Sequence, residues 1–199
     1  MDTFCYLGDV LSADGGVEAA VTARIRSGWL RFRELVPFLA SGAPPLWMKG
    51  RVYAACVRPR MTYGCETWPV RLDHIRRLEV AEKRMIRWMA GPSLRERCTT
   101  DDLRARMGLA GVTSVLRQAR LRWFGHVERK EEDDWVKHVT QFTVEGSRPV
   151  GRPLKTWREV VAQDMRLLGL RPADAVDRDR WRNAIRGDPS NPAGPDNGR

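Results

Sequence analysis

Two stretches of this 199-residue chain carry cations in registers suited to a phosphate backbone. Over 71–90, Arg76, Arg77, Lys83, Arg84 and Arg87 fall opposite Leu72, Ile75, Leu78, Met85, Ile86 and Met89 on a helical wheel. Such a five-cation ridge could follow successive phosphates, with an affinity that falls steeply with salt. The same pattern also suits a solvated helix face with local pairs such as Glu79–Lys83. Over 112–129, Leu116, Ala119, Trp123 and Val127 form an apolar stripe, and Gln118, Arg122, His126 and Arg129 recur beside it at three- and four-residue steps. These side chains offer donors to phosphates, sugars or base edges, although His126 could equally close a local hydrogen bond. A third candidate is the basic loop 146–153 with the helix start after it. There Arg148, Arg152 and Lys155 add charge to the backbone N–H groups that attract anions. The loop partly resembles the minor-groove hook built on Arg-Gly-Arg-Pro, with Val150 in place of the first Arg. Trp157 beside it suits either a core anchor or a stacking platform, and the same choice holds for Trp29, Trp47, Trp88 and Trp181.

Bond-making chemistry has no comparable signature. The sequence holds no Gly-rich phosphate loop, no nucleophile elbow and no His-Glu-x-x-His. Asp9 and Asp14 lie near the first strand-like segment, but two-metal catalysis needs carboxylates converging on ions about 4 Å apart. Turn formation accounts for both aspartates without a metal. Cys5, Cys56, Cys65 and Cys98 are too scattered for a zinc knuckle, and His74, His126 and His138 have no paired spacing. The expectation is reduced, structural thiols, no metal site and no cofactor held by this chain.

The net charge of +10 and pI near 10.2 favour a polyanionic partner. All the basic residues except Lys49, Lys83, Lys130, Lys137 and Lys155 are arginine. The planar guanidinium fork suits phosphate oxygens and base stacking, although GC-rich coding would enrich arginine as well. The hydrophobic fraction of 42% and charged fraction of 30% fit a soluble globular protein. No apolar run approaches the roughly 18–20 residues that span a bilayer, and the amino terminus lacks the basic and apolar regions of a secretory signal. The expected location is therefore intracellular, in nucleus or cytoplasm, with no membrane partner.

The elements that must position these residues read as mainly α. Residues 3–12 are rich in β-formers and precede the turn cluster 13–16, which predicts a short strand or hairpin. It has no obvious strand partner later in the chain and so reads as the edge of a sheet. A helix over 17–39 places Val21, Ile25, Trp29, Phe32, Val36 and Leu39 on one face. A second runs over 46–57, and Pro59 should break or kink it. The clearest amphipathic helix, 71–90, ends at Gly91-Pro92. Short helices follow Thr99 or Thr100 and the acidic cluster 131–134, with longer ones over 112–129, 154–168 and 177–185. Residues 188–199 read as disordered.

Read together, the segments resemble the end of LINE-type (non-LTR) retrotransposon reverse transcriptases. The matching pieces are Tyr6-Leu7-Gly8, Arg24-Ile25 and the run from Tyr63-Gly64-Cys65 to Glu66-Thr67-Trp68. Further on come the run from Arg120-Leu121-Arg122-Trp123 to Arg129, then Gly151-Arg152-Pro153-Leu154-Lys155-Thr156-Trp157, Asp164 and Trp181. The resemblance implies that 1–16 closes the palm, 17–92 forms a helical thumb, 93–187 is a helical linker domain and 188–199 is a tail. It implies RNA, RNA–DNA or DNA duplex as partner, and RNA-directed DNA polymerase as the family activity, with magnesium. The fingers, the palm aspartates and the endonuclease would precede Met1, so this chain is expected to bind but not to polymerise alone. The alternative is a stand-alone, host-adopted DNA-binding or protein-interaction module.

Overall fold

In a computed structural model, residues 3–6, 8–12, 16–142 and 155–186 are described. Arg148 and Arg152, the basic loop and the tail lie outside them. The chain is mainly α with one short β-hairpin. Strands β1 (Thr3–Tyr6) and β2 (Asp9–Ser12) pair antiparallel, with Thr3 opposite Ser12 and Tyr6 opposite Asp9. A lone two-stranded ribbon is marginal in water, and this one is held from below. The Asp9 carboxylate accepts the Trp68 indole N–H at 3.3 Å and lies 3.8 Å from the Arg24 guanidinium. Arg24 in turn sits over the Tyr63 ring, 4.4 Å from its centroid. Phe4, Tyr6 and Leu11 point to solvent.

Helices α1 (Glu18–Glu34), α2 (Val36–Leu39), α3 (Leu46–Val52) and α4 (Arg58–Thr62) follow. Val21, Phe32 and Leu39 are fully buried, with Ile25, Trp29 and Val36 packed beside them, as the periodicity predicts. Pro59 does not break its helix. A π-helical turn (Tyr53–Val57) precedes α4, which continues to Thr62. The wider turn makes room for the pyrrolidine ring, and the helix continues through Pro59 although that residue donates no N–H to the ladder. A 3₁₀ turn (Cys65–Thr67) then leads to α5 (Leu72–Arg97).

In α5, Leu78, Met85, Ile86 and Met89 are fully buried, but Leu72 is 62% exposed. Leu72 stands six residues before Leu78, about 120° around the helix from the buried stripe. The helix turns sharply at Gly91, whose φ of 78° is a conformation that glycine adopts without steric cost. α6 (Thr100–Arg106) opens with a capping box, Thr99 and Asp102 each accepting the other's backbone N–H. α7 (Val112–Glu128), α8 (Trp135–Gln141), α9 (Trp157–Leu167), a 3₁₀ turn (Pro172–Ala175) and α10 (Arg178–Arg186) complete the order. Among the described residues no helix is long and apolar enough to cross a membrane. Cys5, Cys56, Cys65 and Cys98 are free thiols.

The larger core gathers buried residues from Val17 to Leu116 and takes Val160 from α9. A smaller one groups Leu121, Val161, Met165, Ala175, Trp181 and Ile185. α7 serves both, because Val112 and Leu116 face the first core and Leu121 the second.

Inside the larger core lies an ionised cluster. Glu82 has no solvent exposure and pairs with Arg58 at 2.8 Å. Its second oxygen accepts the Val112 backbone N–H at 3.2 Å and lies 3.7 Å from Arg104. Arg58 also donates to the Ala110 carbonyl at 2.7 Å. Burial, with the Glu82 charge beside it, raises the Tyr53 phenol well above its ordinary pKa, so the hydroxyl stays protonated. One carboxylate thus ties α4, α5, α6 and the start of α7 together.

Glu82→Gln should therefore cost about 3–5 kcal/mol, because it leaves the Arg58 guanidinium buried without its counter-charge. Arg58→Met with Glu82→Leu should recover most of that loss. Urea denaturation midpoints at unchanged slope test the pair, and a single-mutant loss below about 1 kcal/mol would remove the cluster from its structural role.

Candidate nucleic-acid interface

The candidate site is built on α7, which is fixed along its length by groups on other elements. At its first turn the Val112 N–H bonds Glu82, and the Thr113 hydroxyl donates to Glu79 at 2.6 Å. At its middle, buried Arg120 makes two 2.8 Å contacts with Asp164 of α9. Asp164 is itself buried, and Arg117 lies 3.6 Å from its other oxygen. A second capping box, Thr156 with Glu159, starts α9 and sets the register that delivers Asp164. Near the end of α7, Gly125 lets α10 approach. A Cβ on Gly125 would stand 2.4 Å from the Trp181 indole nitrogen. Trp181 is buried and donates to the Leu121 carbonyl at 2.9 Å. Phe124 packs on Trp157 and Trp181, and Trp157 donates to the Glu66 carbonyl at 2.7 Å.

α10 begins where the Asp177 carboxylate accepts the backbone N–H groups of Asp179 and Arg180, each at 3.0 Å. Trp181 and Ile185 face inward. Arg178, Arg182 and Arg186 recur every four residues and are exposed. An open groove of about 1030 Å³ runs between α7 and α10. Gln118, Arg122, Trp123, His126 and Arg129 line its α7 wall, and those three arginines line the α10 wall. Ala119 adds apolar surface, and Glu66 stands in the lining as its carboxylic residue. The Arg129 guanidinium donates to the Ala175 carbonyl at 2.6 Å, which holds that cation at the wall. The Trp123 and His126 rings lie 5.4 Å apart at 39°. Trp123, expected in the buried stripe, is half-buried at the groove, and Gly125 and Leu121 take the inward position against Trp181.

All four candidates of 112–129 thus meet in one groove. The α10 arginines complete it and were absent from the sequence reading, although their four-residue period is visible there. The α5 ridge is a separate surface. Arg76, Lys83 and Arg84 are exposed, and Arg87 is half-buried. Arg77 is drawn onto α1 by Glu18 and by the Thr22 hydroxyl at 2.8 Å. A smaller hollow of about 320 Å³ between α1 and α5 is lined by Arg76, Arg77, Arg84, Ile25, Trp29 and Val80. Lys155 donates to Gln163 at 2.9 Å, beside α9. Of the tryptophans, Trp181 is a core anchor, Trp29 and Trp157 are half-buried, and Trp47 and Trp88 are about half exposed.

Asp9 is engaged by Trp68, by Arg24 and by the Val10 N–H at 3.0 Å, and Asp14 lies outside the described residues. Glu18, Asp73 and His74 do converge. There the Arg71 N–H donates to His74 Nδ1 at 3.3 Å, and His74 Nε2 lies 3.1 Å from Glu18.

No family model matches the chain, and no solved structure matches it. Over 203 residues it is 23% identical to an uncharacterized transposon-derived protein of Caenorhabditis elegans, with 96% of this chain and 72% of that protein covered. The molecule is a mainly helical, arginine-rich protein, and the similarity points to a transposon origin.

Gly125→Ala should force α10 away from α7 and cost about 1–3 kcal/mol. A Cβ on Gly42 meets nothing within 4 Å, so Gly42→Ala should be close to neutral. Denaturation curves, with the near-ultraviolet dichroism of the tryptophans, check both; equal effects at the two positions would contradict the close approach at Trp181.

Proposed function

We propose that this chain is the nucleic-acid-gripping part of a transposon-encoded reverse transcriptase of the non-LTR type. On this reading it holds RNA or a template–primer duplex, and bond formation belongs to palm aspartates outside this sequence. The observation that carries the reading is the α7–α10 groove, whose two facing walls present Arg122, Arg129, Arg178, Arg182 and Arg186. Walls of like charge repel each other, and a bound polyanion relieves that repulsion and releases its own counterions. Guanidinium forks bind phosphate oxygens bidentately, so they orient a backbone as well as attract it. The α5 ridge supplies a second cationic face, through Arg76, Lys83 and Arg84. Similarity to a transposon-derived protein fits this role. Asp9, the described acidic residue nearest the supposed palm edge, is occupied in fastening the hairpin, which fits a chain that binds without polymerising. Such a role places the protein with nucleic acid in the nucleus or the cytoplasm.

Filter-binding of labelled RNA across a salt series tests the grip. Five groove arginines each neutralising a phosphate should give a slope of log affinity against log salt of about −3.5 on single-stranded RNA. Negligible binding at low salt would refute the reading. Given a primed RNA template, nucleotides and magnesium, the purified chain should add no nucleotide; extension of the primer would overturn the division of labour.

A further inference from the structure

We infer that the groove between α7 and α10 is a site for an unpaired stretch of nucleic acid, held by base stacking on Trp123 and His126 and by phosphate contacts on both walls. This inference rests on the nucleic-acid reading above and narrows it to one strand state and one site.

Width supplies the first argument. α7 and α10 touch through Gly125 and Trp181. Helices in direct contact lie about 8–10 Å apart. A base-paired helix is broader than the channel above such a seam and would rest on its rims, whereas a single strand can enter. Register supplies the second. Gln118, Arg122 and His126 on one wall, and Arg178, Arg182 and Arg186 on the other, repeat every four residues, a rise of about 6 Å per step. That step is commensurate with successive phosphates of an extended strand.

The lining chemistry supplies the third. A site for phosphates alone needs only cations, yet this groove also contains the edge of a half-buried indole with an exposed imidazole beside it, and apolar Ala119. The indole of Trp181 already anchors the helix pair, which leaves Trp123 to offer an aromatic face at the groove. Aromatic faces interleaved with cations are the pattern by which unpaired bases are held without sequence preference. The α5 ridge, an open helix face, is by contrast accessible to a duplex.

Fluorescence anisotropy on the full chain tests the inference with three labelled ligands: an oligouridine RNA of about 12 nucleotides, the same strand with abasic positions, and a duplex of equal length. Trp123→Ala should weaken oligouridine binding by about tenfold, and Trp123→Phe should retain most of it. The abasic strand should bind the unmodified protein about tenfold more weakly and lose nothing more in Trp123→Ala. Joint replacement Arg178→Gln, Arg182→Gln and Arg186→Gln, all at exposed positions, should weaken oligouridine binding by at least about tenfold. Duplex binding should change by less than about twofold in every variant.

Equal losses on duplex and single strand would overturn the inference, as would a Trp123→Ala protein that binds oligouridine like the parent. If duplex binding persists while the groove variants leave single-strand binding unchanged, this inference fails and the broader reading stands. If neither ligand binds the unmodified chain, both fail.

Discussion

α7 is held in place by two buried carboxylates. Glu82 takes the N–H of its first residue, and Asp164 takes the guanidinium of Arg120 at its middle. Removing a carboxylate from water costs several kcal/mol, and the attraction of its partners offsets that only when geometry is good and the lone pairs are filled. Glu82 accepts hydrogen bonds on both oxygens, and Asp164 accepts two contacts from Arg120 on one oxygen, with Arg117 3.6 Å from the other. Glu82 has Arg58, Arg104 and a backbone N–H around it, and Asp164 has Arg120 and Arg117. A leucine at either place would bury as well, but it would tolerate a rotated or shifted α7. The charge pairs specify where the helix lies, and with it which side chains reach the groove.

Several segments that resemble a retrotransposon enzyme meet each other in this fold. Asp9, beside Gly8, meets Arg24, Tyr63, Gly64 and Trp68 at one junction. Arg120, Gly125, Asp164 and Trp181 meet at another. At both junctions these residues join separate elements. The exposed members of the same run, Arg122, His126 and Arg129, are the ones turned to the groove, Arg129 also bonding the Ala175 carbonyl. A single ten-residue run therefore contains both scaffold residues and groove-lining residues, alternating with the helical period.

The two cationic surfaces differ in how much of their formal charge stays available. On the α5 ridge, Arg77 is committed to Glu18 and Thr22 of α1. Along α7, Arg117 and Arg120 serve Asp164, so two of its arginines are turned inward. In the groove, Arg129 is fixed by a neutral carbonyl, a bond that orients the guanidinium without cancelling its charge. Arg182 of the facing wall lies 3.9 Å from Asp179, and Glu66 also stands in the lining.

From sequence alone, the helical character, the short hairpin, the exposed α5 ridge and the Gln118–Arg122–His126–Arg129 stripe were legible, because backbone period and wheel position are local properties. The π-helical passage through Pro59 was not, since it depends on a widened turn and not on the proline alone. Nor could the wheel show that Arg58, Arg104, Arg117 and Arg120 are structural, for an arginine on a helix reads the same whether its partner is a phosphate or a carboxylate dozens of residues away. Only tertiary packing, through Gly125 against Trp181 and Arg120 against Asp164, laid α10 beside α7 and turned two separate rows of cations into one groove.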